Sequence, residues 1–275
     1  MLSSHVVNVR YDTSEAVAEE IGRRLGDRHV LLLTDFDGTL AELAPTPDEA
    51  FISEEVRSQF IQLTALDSVT TGIVSGRRLA DVRKRVGAGT EFVAGLHGLE
   101  IVGPHETYEH ESLAAVAPVI HDLRVAAVRA LAWCHGVLIE DKTFALTCHV
   151  RLAASEDANR ALELFAGLAR RQIEAKVLRL LTGSMAAEVL PAAEWHKGSA
   201  VEWIRSVVSE RLGVAVPVIY LGDDRTDEDA FGSLGSDDLA IGVGPRPQSH
   251  LIHWRLAGPA SVGRLFARMR LVQHA

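Results

Sequence analysis

Hydrophobic and polar positions follow one rhythm toward the two ends of this chain and another in its middle. Over residues 14 to 103, segments with helical spacing alternate with short apolar runs. The spacing predicts a helix over Ser14–Leu25 with Ser14 as N-cap, then a buried strand through Leu31-Leu32-Leu33 ending at Asp35. Pro45 and Pro47 mark a loop. A helix near Ser53–Leu66, a strand over Val69–Val74, a helix from Arg77 to about Val86 and a strand over Phe92–Val102 follow. Apolar strands separated by helices form βαβ units, which imply a parallel sheet.

From about Tyr108 to Ala193 the pattern changes. Leu113–Trp133 reads as a long amphipathic helix, and Val137–Ile139 with Phe144–Val150 flank the polar Glu140-Asp141-Lys142-Thr143 as a hairpin. Ser155–Gln172, capped by Ser155, predicts a second helix. Val177–Leu181 and Ala186–Leu190 around Thr182-Gly183-Ser184 predict a second hairpin. One helix and two strands, repeated, describe a small α+β domain. After Lys197 the first rhythm returns, with a helix over Gly198–Leu212, strands over Pro217–Leu221 and Leu239–Val243, and a last helix near Ser261–Met269. The expected fold class is α/β: a Rossmann-like core with a parallel sheet from residues 1–107 and 194–275, and an inserted α+β domain of two helix–hairpin units over 108–193. The first dozen residues are expected to be poorly ordered.

Composition narrows the function. The 28 Lys and Arg against 37 Asp and Glu give a net charge of −9 over 275 residues. Neither nucleic acid nor an anionic membrane is attracted to a net anion, so no nucleic-acid or membrane partner is expected. An anionic small molecule would need a local positive site. Cys134 and Cys148 form no disulfide framework and no metal-ligand spacing, which fits a reducing cytoplasm. No signal peptide is read at the start, and charges interrupt every apolar run well before the ~18 residues of a membrane span.

Four separated pieces carry candidate chemistry. Asp35 and Asp37 close the first strand in Asp35-Phe36-Asp37-Gly38-Thr39 and point the same way in extended chain. Two carboxylates at the C-terminal end of such a strand offer a nucleophile and a proton donor; a helix-capping acidic turn is the simpler alternative. Ser75-Gly76-Arg77 ends the next strand, where Ser75 is suited either to hold a phosphate or to cap a helix. Lys197 opens a helix against the dipole, which a bound anion would justify, although lone lysines are usually solvated. Asp223, Asp224, Asp227, Glu228 and Asp229 crowd one strand end and suit Mg²⁺, or form a solvated acidic loop. Two unit charges ~4 Å apart interact by ~4 kcal/mol at an effective dielectric of ~20. A carboxylate attacking a phosphate dianion therefore needs counter-charge, which a metal and Lys197 would supply. Glu140 and Lys142 project from one hairpin face, as sugar contacts or as a surface ion pair.

These four pieces resemble the haloacid-dehalogenase superfamily of phosphatases. A closer resemblance runs through nearly the whole chain: Gly95-Leu96-His97-Gly98-Leu99-Glu100, Ile139-Glu140-Asp141-Lys142, His149-Val150-Arg151, Glu188-Val189-Leu190-Pro191 and Leu221-Gly222-Asp223-Asp224-Arg225-Thr226-Asp227-Glu228-Asp229-Ala230-Phe231 are similar to the trehalose-6-phosphate phosphatase family. The resemblance implies Mg²⁺-dependent hydrolysis of trehalose 6-phosphate through an aspartyl-phosphate, and an inserted domain that acts as a cap. Asp35 would be the nucleophile and Asp37 the general acid/base. Ser75 and Lys197 would hold the phosphate, Gly76, Arg77 and His97 would also bind substrate, and Glu140, Lys142 and Glu188 would contact the sugar. Asp35, the carbonyl of Asp37 and Asp223 would hold Mg²⁺, with Asp224 and Asp227 behind them. A functional link to a trehalose-6-phosphate synthase-like glycosyltransferase follows. Another sugar phosphate, such as a trehalose-like pseudodisaccharide, sucrose phosphate or glucosylglycerol phosphate, is the alternative substrate. A catalytically silent sugar-phosphate-binding domain is the alternative from outside enzymology.

Overall fold

The structure, a computed structural model, describes residues 11–87, 89–183, 185–246 and 249–272. Two compact units divide the chain, one from residues 11–43, 50–107 and 195–272, the other from Ala44–Glu49 and Tyr108–Glu194. The larger unit begins with α1 (Ser14–Leu25), β1 (Val30–Thr34), α2 (Glu54–Thr64), β2 (Val69–Val74) and α3 (Leu79–Val86). It continues through β3 (Phe92–Gly95) and β4 (Glu100–Val102), and β5 (Thr107–Glu109) straddles the division. The smaller unit contributes α4 (Ser112–Ala130), β6 (Leu138–Asp141), β7 (Leu146–His149), α5 (Ser155–Glu174), β8 (Leu178–Thr182) and β9 (Ala186–Pro191). The larger unit then resumes with α6 (Lys197–Leu212), β10 (Val218–Gly222), α7 (Glu228–Gly232), β11 (Leu239–Val243), β12 (Trp254–Leu256) and α8 (Pro259–Val272).

Eight strands form one sheet in the order β12-β11-β10-β1-β2-β3-β4-β5, parallel from β12 to β3. The α/β class with a mostly parallel sheet follows from the strands' composition. β1, β2, β10 and β11 are buried at every position, so both faces must be covered, and helices cover them. The core on one face joins Leu32, Phe36, Ile73 and Ile219 to Val17, Ile21, Phe60, Leu265 and Phe266 from α1, α2 and α8.

In the smaller unit four strands run β6-β7-β9-β8, all antiparallel. One face packs on α4 and α5, where Leu146, Cys148, Ala187 and Val189 meet Ile120, Leu123, Ala161 and Phe165. Both cysteines are free and buried in this unit.

Some local expectations change. The span expected as one strand over Phe92–Val102 is two antiparallel strands, with Gly95 opposite Glu100. Leu96 and His97 both adopt positive φ, 49° and 58°, and turn the chain back. The cap of α1 is Thr13, whose hydroxyl accepts from Ala16 N, while Ser14 donates to Ser261 O. Ser155 opens α5 without capping it. The short β12 carries too little pattern to be read in advance. Except for Tyr11 and Asp12, the expectation about the first dozen residues falls outside the described residues, as does Ser184 in the second hairpin's turn. No described helix is long and apolar enough to cross a membrane.

Candidate active site

The strand order β10-β1-β2 brings three buried strand ends side by side, each followed by a polar residue. Asp223 follows β10, Asp35 follows β1 and Ser75 follows β2. Register brings them close, since Thr34 lies opposite Leu221 on one side and Ile73 on the other, which sets Asp35 one residue short of Asp223 and Ser75. All three are buried, at the edge where open α/β sheets bind ligands.

Lys197 reaches this edge from the first position of α6. Its Nζ donates to Asp35 Oδ1 at 2.6 Å and to Asp227 Oδ1 at 2.8 Å. His196 fixes the helix start: its Nδ1 accepts from Ser199 N at 3.3 Å, and Ser199 Oγ accepts from His196 N at 3.4 Å. A cation at a helix N-terminus opposes the dipole, and here two carboxylates offset it. Burial alone would lower the pKa of Lys197, but Asp227 and Asp35 outweigh that and hold it charged. For Asp35, burial, opposed by Lys197 and reinforced by Asp227 and Asp37, pushes the carboxyl up to about 7.

Asp227 organises this cluster from behind. It is fully buried; Oδ1 accepts from Lys197 and from Tyr220 OH at 2.7 Å, and Oδ2 accepts from the backbone N–H of Asp223 and Asp224, each at 3.0 Å. One carboxylate thereby sets the lysine and the turn that carries Asp223.

Asp35, Asp223 and Asp227 each place an oxygen within 4.8 Å of the others'. With the oxygens of Asp227 engaged by four donors, Asp35 and Asp223 are the pair suited to ligate. Burial and the Asp35 charge push Asp223 up to about 8 against the pull of Arg246, whose guanidinium pairs with its Oδ2. Crowded acids that raise one another lack positive charge, and an all-oxygen donor set fits a hard divalent cation such as Mg²⁺. Gly38, at φ 84°, permits the approach: a side chain there would collide with Asp223 Oδ2.

Asp37 is treated differently. Arg77 grips it bidentately, Nε to Oδ2 at 2.6 Å and Nη2 to Oδ1 at 2.7 Å. Arg77 also donates to Asp81 at 2.8 Å and lies over the Phe36 ring, 5.2 Å from its centroid. The Arg77 guanidinium, expected to bind substrate, is engaged by the carboxylates of Asp37 and Asp81. Ser75 caps no helix, since α3 starts only at Leu79; its Oγ accepts from Arg77 N at 3.2 Å. The Leu96–His97 turn staples this loop, with Leu96 N donating to Arg77 O at 2.7 Å and His97 N to Ser75 O at 2.9 Å. The His97 ring lies against Gly76, 2.6 Å from where a Cβ would stand. Only glycine fits there.

Glu140, Lys142 and Glu188 gather on the smaller unit's sheet, on the face away from its apolar core. Register aligns Glu140 with Thr147 and Thr147 with Glu188, and opposed residues share a face. Glu188 Oε1 accepts from Lys142 Nζ at 2.7 Å and from Thr147 Oγ1 at 3.2 Å. Glu140 Oε2 pairs with His149 Nε2 at 2.7 Å.

Known proteins now bear on these clusters. A sequence model of the trehalose-phosphatase family matches residues 33–251. The chain belongs to that family. Membership makes it a phosphatase, a hydrolase of phosphate esters. It is 33% identical over 285 residues to a trehalose-phosphate phosphatase of Mycobacterium marinum, covering 94% of this chain and 71% of that one. In fold it is similar to the C-terminal domain of Candida albicans trehalose-6-phosphate phosphatase, with a TM-score of 0.74 at 20% identity over 96% of this chain and 99% of that one. It is also similar to a haloacid dehalogenase-like hydrolase from Bacteroides thetaiotaomicron, with a TM-score of 0.59 at 16% identity over 89% of this chain and all of that one. The likeness is one of fold: the α/β core has the architecture of these two structures.

Three residues of this trehalose-phosphatase-family chain escaped the sequence reading. Tyr220 is a mid-strand aromatic whose hydroxyl has no local signal. Arg246 follows the end of β11, next to β10 in the sheet, so a strand-end position was the available clue. Thr147 occupies the hairpin position opposite Glu140, visible only once the register is fixed.

Proposed function

We propose that this chain hydrolyses trehalose 6-phosphate to trehalose and inorganic phosphate in two steps. Asp35 attacks phosphorus, the bond to the sugar oxygen breaks, and Asp37 passes its proton to the departing alkoxide. A water molecule then attacks the aspartyl-phosphate, gives a proton to Asp37, and frees Asp35 and phosphate. The observation that carries this reading is the contrast between the two carboxylates: Asp35 is buried on Lys197, and Asp37 is half-exposed in the Arg77 fork. One is countered by a cation that also suits phosphate, and the other is oriented at the rim for proton transfer.

Lys197 offsets the charge that accumulates on the transferring oxygens. Ser75 already accepts from Arg77 N, which leaves its hydroxyl hydrogen to donate to phosphate. Arg77 serves the phosphate indirectly, by holding the carboxylate plane of Asp37. Asp35, the carbonyl of Asp37 and Asp223 would hold Mg²⁺, which supplies Lewis-acid neutralisation of the phosphate. Glu140, Lys142 and Glu188 read the sugar, where binding energy remote from phosphorus raises turnover as well as affinity. In this reading the substrate comes from a trehalose-6-phosphate synthase-like glycosyltransferase, and the reaction is cytoplasmic, without nucleic acid or membrane.

The test is steady-state phosphate release with Mg²⁺ from trehalose 6-phosphate, glucose 6-phosphate, sucrose 6-phosphate and glucosylglycerol phosphate. The highest kcat/KM is expected for trehalose 6-phosphate. A preference for another ester would replace the substrate but keep the chemistry. No release from any of them would overturn the enzymatic reading for these sugars.

A further inference from the structure

The inserted sheet carries a polar row whose carboxylates are held by neighbours that no sugar-reading role yet includes. Across β6, β7 and β9 the row runs Glu140, Thr147, Glu188, with His149 two residues from Thr147 on the same face. An ionised carboxylate has no hydrogen to donate, so it binds a hydroxyl only as acceptor, and its direction is set by whatever else it accepts from. Burial would raise Glu140, but the His149 hydrogen bond and the Lys142 charge outweigh it and hold Glu140 below the usual carboxylate range. An ionised Glu140 requires the hydrogen of His149 to be on Nε2, since that is the atom 2.7 Å from Oε2. Thr147 is matched in the same way to Glu188: its hydroxyl shares Oε1 with Lys142.

We propose that His149 and Thr147 are the positioning residues of the sugar-reading face, His149 aiming Glu140 and Thr147 aiming Glu188 at the hydroxyls of a neutral polyol. The inference rests on the reading of Glu140 and Glu188 as sugar contacts. His149 and Thr147 both belong to the smaller unit and neither to the Asp35 cluster, so on this reading their effect falls on the sugar. Both carboxylates are on strands packed against α4 and α5 from the opposite face; Glu140 is held by His149, and Glu188 by Thr147 together with Lys142. The ligand chemistry that results is two ionised acceptors beside the one ammonium of Lys142, which suits a neutral sugar whose hydroxyls both donate and accept.

The experiment measures kcat and KM for trehalose 6-phosphate and for p-nitrophenyl phosphate, which has no sugar. The variants are His149→Ala, His149→Gln, Thr147→Val, Thr147→Ser, Glu140→Ala and the His149→Ala/Glu140→Ala double. His149→Ala should lose about tenfold in kcat/KM on trehalose 6-phosphate, the size expected for a hydrogen bond to a charged group, and under about twofold on p-nitrophenyl phosphate. His149→Gln, which keeps an N–H of similar reach, should recover most of the loss. The double variant should fall no further than Glu140→Ala alone, because the pair acts as one unit. Thr147→Val should show the same selective loss and Thr147→Ser should restore it. Equal losses on both substrates, additive losses in the double, or no rescue by Gln and Ser would overturn the proposal. If His149→Ala does not fold, the isosteric Thr147→Val and Thr147→Ser pair decides it. Wild-type protein inactive on trehalose 6-phosphate but active on p-nitrophenyl phosphate would overturn the substrate reading and this inference with it. Wild-type activity on both, without selective loss, would overturn this inference alone.

Discussion

The two polar clusters of this molecule are built on opposite terms. At the end of the larger sheet, Asp35, Asp223, Asp227 and Lys197 are all buried. They meet from positions as far apart as Asp35 and Lys197, 162 residues in sequence. On the smaller sheet, His149 and Glu140 lie nine residues apart on adjacent strands and remain partly open to water. Burial makes the first cluster costly to perturb, because removing one member leaves a charge without its counter-charge. In the second, the His149–Glu140 pair tolerates change, because water can replace a lost partner, while Lys142, Thr147 and Glu188 beside it are buried. In the proposed reading, the larger unit carries a reaction common to all phosphate esters, and the smaller unit chooses among them.

The comparison predicts graded effects. Asp35→Asn should abolish turnover of every substrate while leaving the fold intact, since an amide is no nucleophile. Acid quenching of the wild-type reaction followed by peptide mapping should find phosphate on Asp35. Appreciable steady-state release by pure Asp35→Asn would refute the covalent route. Asp37→Asn should lower kcat by roughly 10²–10⁴-fold, the usual value of a general acid/base. Near-normal rates would leave Asp37 structural.

Lys197→Ala should cost stability as well as activity, about 3–5 kcal/mol by chemical denaturation, the usual penalty for breaking a buried pair. Glu140→Ala should cost far less by the same measurement. Equal losses would erase the contrast in burial on which the comparison rests.

Metal should act through the same crowded acids. EDTA should stop the reaction and Mg²⁺ restore it. In metal-free buffer, burial holds Asp35 near 7 and Asp223 near 8, above the ordinary 3.8. Between those values the folded protein keeps protons that the unfolded chain has released, so stability falls as pH rises through this window. Mg²⁺ favours the ionised carboxylates, so its thermal stabilisation should be larger at about pH 8 than at about pH 5.5. Asp223→Ala should shrink that difference. An equal shift at both pH values would remove these carboxyls from the metal site.

The larger unit was legible because its elements carry separate local signals. The apolar runs before Asp35, Ser75 and Asp223 announce buried parallel strands, and the polar residues that end them fall at one sheet edge. The hairpin hidden in Phe92–Val102 was less so. The left-handed turn at Leu96 and His97 is held by hydrogen bonds to the distant Ser75 loop, which local pattern does not show. The Arg77 fork was not legible, because its partner Asp37 is 40 residues away. On the smaller sheet the strands were legible, but alternating polar residues look alike whether they face water or a sugar. Only the register paired Thr147 with Glu188.

The division between the two regions is tested most directly by kcat/KM for trehalose 6-phosphate and p-nitrophenyl phosphate in two variants. Lys197→Ala should lose heavily on both, because the phosphate is common to them. Glu188→Ala should lose roughly 10–100-fold on trehalose 6-phosphate, the size of a hydrogen-bonded charge contact to the sugar, and almost nothing on the small ester. Parallel losses in both variants would contradict a sugar-reading role for the smaller unit.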